Sequence, residues 1–211
     1  MKNIGKLICL EGPEGAGKST QLARLQAKLD STNKFVFVRE PGGTPFGEDV
    51  RRVIFAHKVS VGAQFLLFMA SRLHIFETVV RPALGQGKHV ITDRMDASTF
   101  AYQVFGSEQL HLEDVFNLLR RIYLAPIETS DWLVPQYIFL DIKPDVGLSR
   151  RHSSAEALNS FDLETLSYHQ RVYAGYQHFI PTQRNSCSID ASRSEEEVFQ
   201  DVLHVVHTII Q

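Results

Sequence analysis

Residues 6–22 read KLICLEGPEGAGKSTQL, an apolar run that leads into a glycine-rich turn and then into a helical pattern. The turn fits the spacing G-x-x-x-x-G-K-[S/T] of a phosphate-binding loop between a strand and a helix. Its glycines let backbone N–H groups converge on anionic oxygens, Lys18 supplies a positive charge and Ser19 offers a hydroxyl ligand for Mg²⁺. The stretch therefore predicts a nucleoside triphosphate site formed by Gly12, Pro13, Glu14, Gly15, Ala16, Gly17, Lys18, Ser19 and Thr20.

The composition predicts one soluble domain over residues 1–211. With 211 residues, 44% of them apolar, the chain can bury a sizeable core. Its formal net charge of −2 gives no electrostatic sign of a nucleic-acid or membrane partner. No run approaches the roughly 18 apolar residues of a membrane span, and the two cysteines do not suggest a disulfide framework. We therefore expect a cytoplasmic protein with neither kind of partner.

Short strand-like runs alternate with helical patterns along the chain. This alternation predicts right-handed crossovers and a five-stranded parallel sheet flanked by helices, which is a three-layer α/β fold. Helical spacing of apolar residues is clearest over 19–29 and 64–84. The polar segment 149–160 is either a flap over the site or an ordinary surface loop. The strand-like runs are KLICL (6–10), KFVFV (34–38), KHVIT (88–92), YIFLD (137–141) and SCSID (186–190).

Two further strand ends carry charged residues. The second strand runs into REPGGT (39–44), and the third ends in Asp93 and Arg94. Loops that follow parallel strands meet at one edge of the sheet, so both should face the phosphate-binding loop. Arg39 and Arg51 are candidates to hold a second phosphate. Asp93 is a candidate to organise Mg²⁺ through water, with the Arg94 guanidinium bridging phosphates.

Taken in order, these motifs resemble the bacterial-type thymidylate kinases, which belong to the P-loop nucleoside monophosphate kinases. The resemblance implies a P-loop NTPase fold and a homodimer. It also implies Mg²⁺-dependent transfer of the ATP γ-phosphoryl group to dTMP, which gives ADP and dTDP. The motifs that carry it span nearly the whole chain: LEGPEGAGKST (10–20), REPGGT (39–44), FLLFMASR (65–72), RPALGQGKHVITDR (81–94), AYQ (101–103), FLDIKPDVGLSR (139–150) and IDAS (189–192).

The resemblance implies roles for individual residues. Ser19 and Asp93 would serve Mg²⁺, and the residues at the transferred group would be Lys18, Asp93, Arg94, Arg150 and Arg151. Phe68 would stack on the pyrimidine, Arg72 would bond its edge, and Tyr102 would crowd the sugar C2′. One tyrosine among Tyr168, Tyr173 and Tyr176 would reach the acceptor. The full set of residues expected to bind the acceptor is Glu14, Arg39, Pro41, Arg51, Phe68, Arg72, Arg94, Ser98, Thr99, Tyr102 and Gln103.

The chain departs from the family pattern at several positions. Met95 stands where family members usually have an aromatic residue or histidine, and Val104 where they usually have glycine. The flap normally ends in Asp-Arg-aromatic-Glu, whereas residues 159–162 read Asn-Ser-Phe-Asp, without the arginine. Only Arg150 and Arg151 remain to close over the triphosphate, and the resemblance does not decide between them.

Three alternatives remain open from the sequence. A kinase with broader specificity for deoxynucleoside monophosphates would follow from an altered base pocket near Met95 and Val104. A deoxynucleoside kinase would need a general base beside the acceptor hydroxyl, and its third strand typically ends in Glu-Arg-Ser. A nucleotide-gated binding protein would have no second substrate, which leaves Phe68, Arg72, Tyr102 and Gln103 without a role.

Overall fold

The computed structural model describes residues 4–127, 133–154 and 157–211. Five strands within these residues form one parallel sheet in the order β2-β3-β1-β4-β5. The predicted five-stranded parallel sheet is confirmed, and each predicted strand agrees with the observed bounds to within one residue. These bounds are β1 Leu7–Glu11, β2 Phe35–Arg39, β3 His89–Asp93, β4 Gln136–Asp141 and β5 Ser186–Asp190.

Helices connect the strands. A π-helical segment, Phe76–Val80, joins α3 to α4, and a second one, Phe100–Gly106, continues α5. Short 3₁₀ turns lie at Asp30–Thr32, Leu110–Leu112 and Ile180–Thr182. The α-helices are α1 (Lys18–Leu29), α2 (Pro45–Ala56), α3 (Val61–Ile75), α4 (Arg81–Gly85), α5 (Asp96–Thr99), α6 (Glu113–Tyr123), α7 (Pro144–His152), α8 (Leu166–Phe179) and α9 (Glu195–Ile210).

The central strand β1 shows why helices cover both faces of the sheet. Leu7 and Cys9 pack in a cluster with residues of α3, α6 and α8, whereas Ile8 and Leu10 pack in a second cluster with residues of α1 and α9. Successive side chains of a strand point to opposite faces, so a continuous apolar run needs apolar partners on both. The predicted three-layer arrangement is therefore confirmed.

The helical stretch Val61–Gly85 forms one wall of the core. By length and composition alone, its 25 residues would suffice to cross a membrane, although polar residues interrupt its apolar ones. A core helix of a soluble protein satisfies the same criterion. Of the 18 most apolar consecutive residues in this stretch, 44% are buried inside the protein. Phe65, Met69 and Phe76 pack in the cluster on that face of the sheet. This packing accounts for the apolar composition of the stretch.

The segment predicted as a flap is partly helical. Helix α7 ends at His152, so residues 149–152 form its last turn. Residues 155–156 lie outside the described part of the chain, and residues 157–165 lead through turns into α8. Pro144 at the first position of α7 and basic residues in its last turn are ordinary helix signals that could have predicted it. Whether 149–160 closes over the site stays a prediction.

Candidate active site

A cleft of about 380 Å³ lies at the carboxyl edge of the sheet, where β1, β2 and β3 end. It brings together most of the residues predicted for binding and catalysis; Gly12, Pro13 and Ala16 do not line it. It also contains six residues without a predicted binding role: Glu40, Phe55, Met95, Ser154, Asn159 and Phe161. The predicted residues in its lining are Glu14, Gly15, Gly17, Lys18, Ser19, Thr20, Arg39, Pro41, Arg51, Phe68, Arg72, Asp93, Arg94, Ser98, Thr99, Tyr102, Gln103, Arg150 and Arg151.

The glycine-rich loop between β1 and α1 has the backbone of an anion site. Gly17 caps α1 with a φ of +86°, and the N–H groups of the first turn have no partner within the helix. A Cβ atom on Gly15 would lie 1.9 Å from the carbonyl oxygen of Gly147, so only glycine fits there. Backbone donors and the positive end of the helix dipole therefore meet at the cleft, as an anionic oxygen requires.

Lys18 is folded back against this loop. Its Nζ donates a 2.8 Å hydrogen bond to the carbonyl oxygen of Pro13, and the side chain is buried. Burial and the neighbouring Arg94 guanidinium lower the pKa of Lys18 to about 8. An anionic ligand would stabilise the charged form of this lysine.

Ser19 and Asp93 meet between the loop and the end of β3. The Ser19 hydroxyl donates a 2.5 Å hydrogen bond to Asp93 Oδ2, while Asp93 Oδ1 is buried without a hydrogen-bond partner. Among the described residues no cluster of three His, Cys, Asp or Glu side chains could hold a metal. A hydroxyl and one carboxylate nevertheless fit Mg²⁺, which takes few protein oxygens and keeps water and phosphate oxygens as its other ligands.

Arg94 forms the centre of a charged network. Its Nη2 donates to Glu14 Oε1 over 2.8 Å, and its Nη1 lies 3.2 Å from the Ser98 hydroxyl. The Tyr102 hydroxyl also donates to Glu14 Oε1, over 3.1 Å. Burial opposes ionisation of Glu14, but Arg94 and Lys18 outweigh it and lower its pKa to about 2. The cleft therefore holds a fixed carboxylate paired with a fixed guanidinium.

A buried carboxylate beneath this network was not predicted. Glu11, at the end of β1, accepts hydrogen bonds from the backbone N–H of Met95 and from the Ser98 hydroxyl, over 2.8 and 2.6 Å. Burial raises the pKa of Glu11. The sequence did contain a signal for this site. Glu11 ends an otherwise apolar strand, and an acidic side chain is rarely buried without partners.

Arg72 is buried in an ion pair. Its Nε donates to Glu40 Oε2 over 2.6 Å, its Nη1 to the Thr99 hydroxyl over 2.9 Å and its Nη2 to the carbonyl oxygen of Met95 over 2.8 Å. Only 2% of the Arg72 side chain is exposed, so protein groups rather than solvent hold its guanidinium. Glu40 belongs to the REPGGT motif (39–44), for which the sequence predicted no role at this position, and in the structure it is the partner of Arg72.

Aromatic rings form the other wall of the cleft. Phe161 lies at the meeting point, with ring centroids 6.4 Å from Phe68, 6.0 Å from Phe55 and 5.7 Å from Tyr102. Phe68 and Arg72 lie four residues apart on α3 and therefore share one face of it, and both line the cleft. A planar apolar group would be well accommodated between these rings.

The two candidate phosphate arginines of the second strand end differ in their surroundings. Arg39 donates to Glu48 over 2.9 Å, and 54% of its side chain is exposed. Arg51 is half-buried, with its guanidinium 4.8 Å from the Phe55 ring and 3.4 Å from the carbonyl oxygen of Pro41. Among the described residues Arg51 forms no ion pair, so it is the better placed of the two to meet an anion.

The flap arginines point to different partners. Arg150 donates to the carbonyl oxygens of Ala191 and Ser192 over 2.6 and 2.7 Å. Arg151 forms a 3.0 Å ion pair with Asp162, which also accepts from the backbone N–H of Asn159. The Arg150 side chain is thus hydrogen-bonded to the turn after β5, whereas the Arg151 side chain pairs with Asp162, just after the predicted flap.

The three tyrosines of α8 lie outside the lining of the cleft. Tyr176 approaches it most closely, with its hydroxyl 2.7 Å from the Ser98 hydroxyl and 3.3 Å from Arg94. Tyr168 reaches the backbone of Tyr102, and Tyr173 donates to Asp141. Tyr176 is fully buried, so it supports Arg94 from beneath.

The geometry thus joins an anion-binding loop, a serine–aspartate pair, several guanidinium groups and an aromatic wall. A family model described as thymidylate kinase matches residues 10–202. The chain belongs to the thymidylate kinase family.

Curated members of the thymidylate kinase family match the chain over nearly its whole length. The thymidylate kinase of Deinococcus radiodurans is 40% identical over 205 residues, which cover 94% of each chain. That of Symbiobacterium thermophilum is 37% identical over 209 residues, covering 96% of this chain and 93% of the relative. That of Haemophilus ducreyi is 35% identical over 211 residues, covering 98% and 95%. The resemblance seen in the motifs is confirmed.

Two departures from the thymidylate kinase pattern lie at the cleft, Met95 in its lining and Ser160 beside it. Met95 is fully buried, and its carbonyl oxygen accepts a hydrogen bond from Arg72. This position therefore contributes its backbone to the site as well as its side chain. Ser160 stands where the flap arginine is usual, next to Phe161 in the aromatic wall. The basic residues of the flap side of the cleft are Arg150 and Arg151.

Proposed function

We propose that the protein transfers the γ-phosphoryl group of ATP to the 5′-phosphate of dTMP, which makes it a phosphotransferase with a phosphate acceptor. The observation that carries this proposal is the shared cleft, which is lined by residues of the phosphate-binding loop and by Arg94 together with Arg51, Phe68, Arg72 and Tyr102. Membership of the thymidylate kinase family supports both substrates.

The donor side of the cleft fits a triphosphate. The loop N–H groups and Lys18 would hold the β- and γ-phosphates, and Ser19 with Asp93 would hold Mg²⁺. When bound, Mg²⁺ neutralises charge on the phosphate oxygens. Arg94 lies between donor and acceptor sides, where its guanidinium can stabilise the charge that develops on the transferred group.

The acceptor side fits a pyrimidine deoxynucleotide that already bears a phosphate. The base would stack on Phe68, with its edge toward Arg72 and Gln103, and the Tyr102 ring would crowd the sugar C2′. Arg51 would hold the acceptor phosphate, with Arg39 at the exposed rim, and Pro41, Ser98 and Thr99 would complete the pocket. Glu14 is held by Arg94 and Tyr102 near the expected position of the sugar.

Phosphoryl transfer requires alignment and positive charge rather than covalent chemistry by the protein. Lys18, Arg94 and one flap arginine would supply that charge. The alternative kinases and the nucleotide-gated binding protein are not favoured, because the family match extends over both halves of the site.

A panel of nucleoside monophosphates with ATP and Mg²⁺ tests the proposal. ADP formation should depend on dTMP and exceed that with dUMP, dCMP, dAMP or dGMP. Thymidine should not replace dTMP, since the proposed acceptor carries its phosphate into the cleft. ADP formation that is equal with and without any acceptor would overturn the proposal.

We also propose that residues 1–211 work as one domain in a cytoplasmic homodimer. Cys9 and Cys187 are free thiols, as suits a reducing compartment. The exposed face of α6 carries Val115, Leu118 and Ile122, of which Leu118 is 62% exposed. These apolar side chains offer a contact surface for a second copy. Sedimentation equilibrium would detect the dimer.

A further inference from the structure

An ion pair between a fully buried carboxylate and a partly buried arginine joins α5 to α6. Asp96, the first residue of α5, is fully buried, and its Oδ2 accepts a 2.6 Å hydrogen bond from Arg120 Nε on α6. The Tyr137 hydroxyl of β4 donates to Asp96 Oδ1 over 2.7 Å, and Arg120 Nη2 donates to Gln183 over 2.6 Å. Neither Asp96 nor Arg120 lines the cleft. Contact with a ligand in the cleft therefore does not explain the pair.

The energetics of burial suggest what the pair does. Removing the Asp96 carboxylate from water costs several kcal/mol, and its attraction to Arg120, 22% of whose side chain is exposed, offsets this only with good geometry and satisfied hydrogen bonds. Apolar residues of similar volume would often stabilise a fold as well. The carboxylate of Asp96 instead fixes the direction of the main chain to which it is attached, because its partners lie on two other elements, α6 and β4.

That main chain includes residues central to the proposed site. Arg94 has a φ of +68°, a left-handed conformation that costs a residue other than glycine on the order of 1 kcal/mol. Met95, between Arg94 and Asp96, donates its N–H to Glu11 and accepts at its carbonyl oxygen from Arg72. The position of Arg72 therefore depends on a peptide bond whose nitrogen belongs to Asp96.

The helix that Asp96 begins carries the rest of the acceptor pocket. Ser98 contacts Arg94 and Thr99 accepts from Arg72, while Tyr102 and Gln103 follow in the π-helical continuation. The described hydrogen bonds of the Asp96 and Arg120 side chains reach α6, β4 and Gln183 but not the phosphate-binding loop. Displacement of α5 would thus affect the acceptor side of the cleft more than the phosphate-binding loop.

We propose that Asp96 and Arg120 are positioning residues, whose ion pair holds the start of α5 and through it Arg72, Thr99 and the acceptor pocket. The inference rests on the proposed function. Loss of the pair weakens recognition of dTMP while recognition of ATP by the loop is retained.

Steady-state kinetics with dTMP and ATP varied separately test the inference. Arg120→Met and Asp96→Asn should each lower kcat/KM for dTMP by about 10- to 100-fold, mainly through KM, because small displacements of positioning groups have effects of this size. The KM for ATP should stay within about twofold of wild type, since the loop is untouched. Arg121→Met is the matched control, because Arg121 is the next residue on α6, is exposed and has no ion pair among the described residues. It should behave as wild type.

A double-mutant cycle separates positioning from general destabilisation. If both residues act through their pairing, Asp96→Asn with Arg120→Met should lose no more than the worse single variant. Additive losses would overturn the inference, as would equal increases of both KM values. Tyr137→Phe removes one hydroxyl that donates to Asp96 and accepts from Arg120, leaves the ion pair itself in place, and serves if the other variants fail to fold. It should raise the KM for dTMP severalfold with ATP unaffected, and an unchanged KM would contradict the inference.

Calorimetric titration with dTMP alone gives the same comparison without turnover. A wild type that binds dTMP but forms no ADP would contradict the proposed function and leave the binding comparison to decide the positioning role. A wild type that turns over dTMP, with variants that lose only thermal stability, would overturn the positioning role alone. A wild type that binds no dTMP contradicts both.

Discussion

The Ser19 hydroxyl donates a 2.5 Å hydrogen bond to Asp93 Oδ2, which joins the phosphate-binding loop to the end of β3. The other carboxylate oxygen of Asp93 is buried and has no partner. An unpartnered buried oxygen is costly unless a ligand or water completes it. This unpartnered oxygen supports the Mg²⁺ site proposed above for Ser19 and Asp93.

Asp93→Asn should lower kcat by about 10- to 100-fold, because a residue that holds metal-bound water typically contributes this much. Part of the loss should be recovered when the Mg²⁺ concentration is raised. Mg²⁺ titrations of turnover measure both effects. Asp141→Asn, at the end of β4 and outside the lining of the cleft, is the control. An unchanged Mg²⁺ requirement in Asp93→Asn would exclude this role.

ADP binding should weaken as the pH rises from 7 to 9.5. Unbound Lys18 has a pKa lowered to about 8 by burial and Arg94, whereas a bound phosphate would hold its proton. Binding then takes up a proton above pH 8, so Kd rises by up to about tenfold per pH unit. Lys18→Met should bind more weakly at pH 7, with a flatter pH profile, and should abolish turnover without unfolding. Calorimetry at several pH values measures this, and identical profiles for the two proteins would contradict it.

Glu14 should make stability depend on acid pH. Its pKa falls from 4.5 to about 2 on folding, because Arg94 and Lys18 outweigh its burial. The stabilisation is therefore complete above pH 4.5 and is lost as the pH falls through 2. Glu14→Gln should lower the free energy of unfolding at pH 6 by up to about 3 kcal/mol, and by less at pH 3.

Urea unfolding at the two pH values measures this difference. Glu48→Gln breaks an ion pair of which both side chains are about half exposed, and should cost less than about 1 kcal/mol at either pH. A pH-independent effect of Glu14→Gln would show that its pairing with Arg94 contributes no linkage.

Arg151→Ala should lower kcat by about 1000-fold, because a single arginine at the transferred phosphate contributes on this scale. Arg151 is attached to the flap through Asp162, whereas Arg150 is attached to carbonyl oxygens after β5. Because the flap is the segment predicted to close over the site, Arg150→Ala should affect kcat much less. Single-turnover measurements compare the two variants, and the reverse order would assign the role to Arg150. Adding Ser160→Arg to Arg151→Ala should restore part of the rate.

Much of the site could be predicted because its signals are local. The loop from Gly12 to Ser19 encodes its own turn, strand and helix within a few residues, and parallel strands bring their carboxyl ends to one edge wherever they occur. Helix α7 was missed because its polar residues show no apolar periodicity. The partners of Arg72 were missed because Glu40 and Thr99 lie 32 and 27 residues away in sequence.

The sequence by itself determined the alternation of strands and helices along the chain, the phosphate-binding loop and the charged residues at three strand ends. These features follow from backbone preferences and apolar spacing. Only the tertiary structure decided which hydrogen-bond or ion-pair partner each buried carboxylate has. Glu11 serves Met95 and Ser98, Glu40 serves Arg72, and Asp96 serves Arg120. Burial makes each pairing obligatory, because a charge removed from water needs a partner, but the partner is set by how distant segments pack.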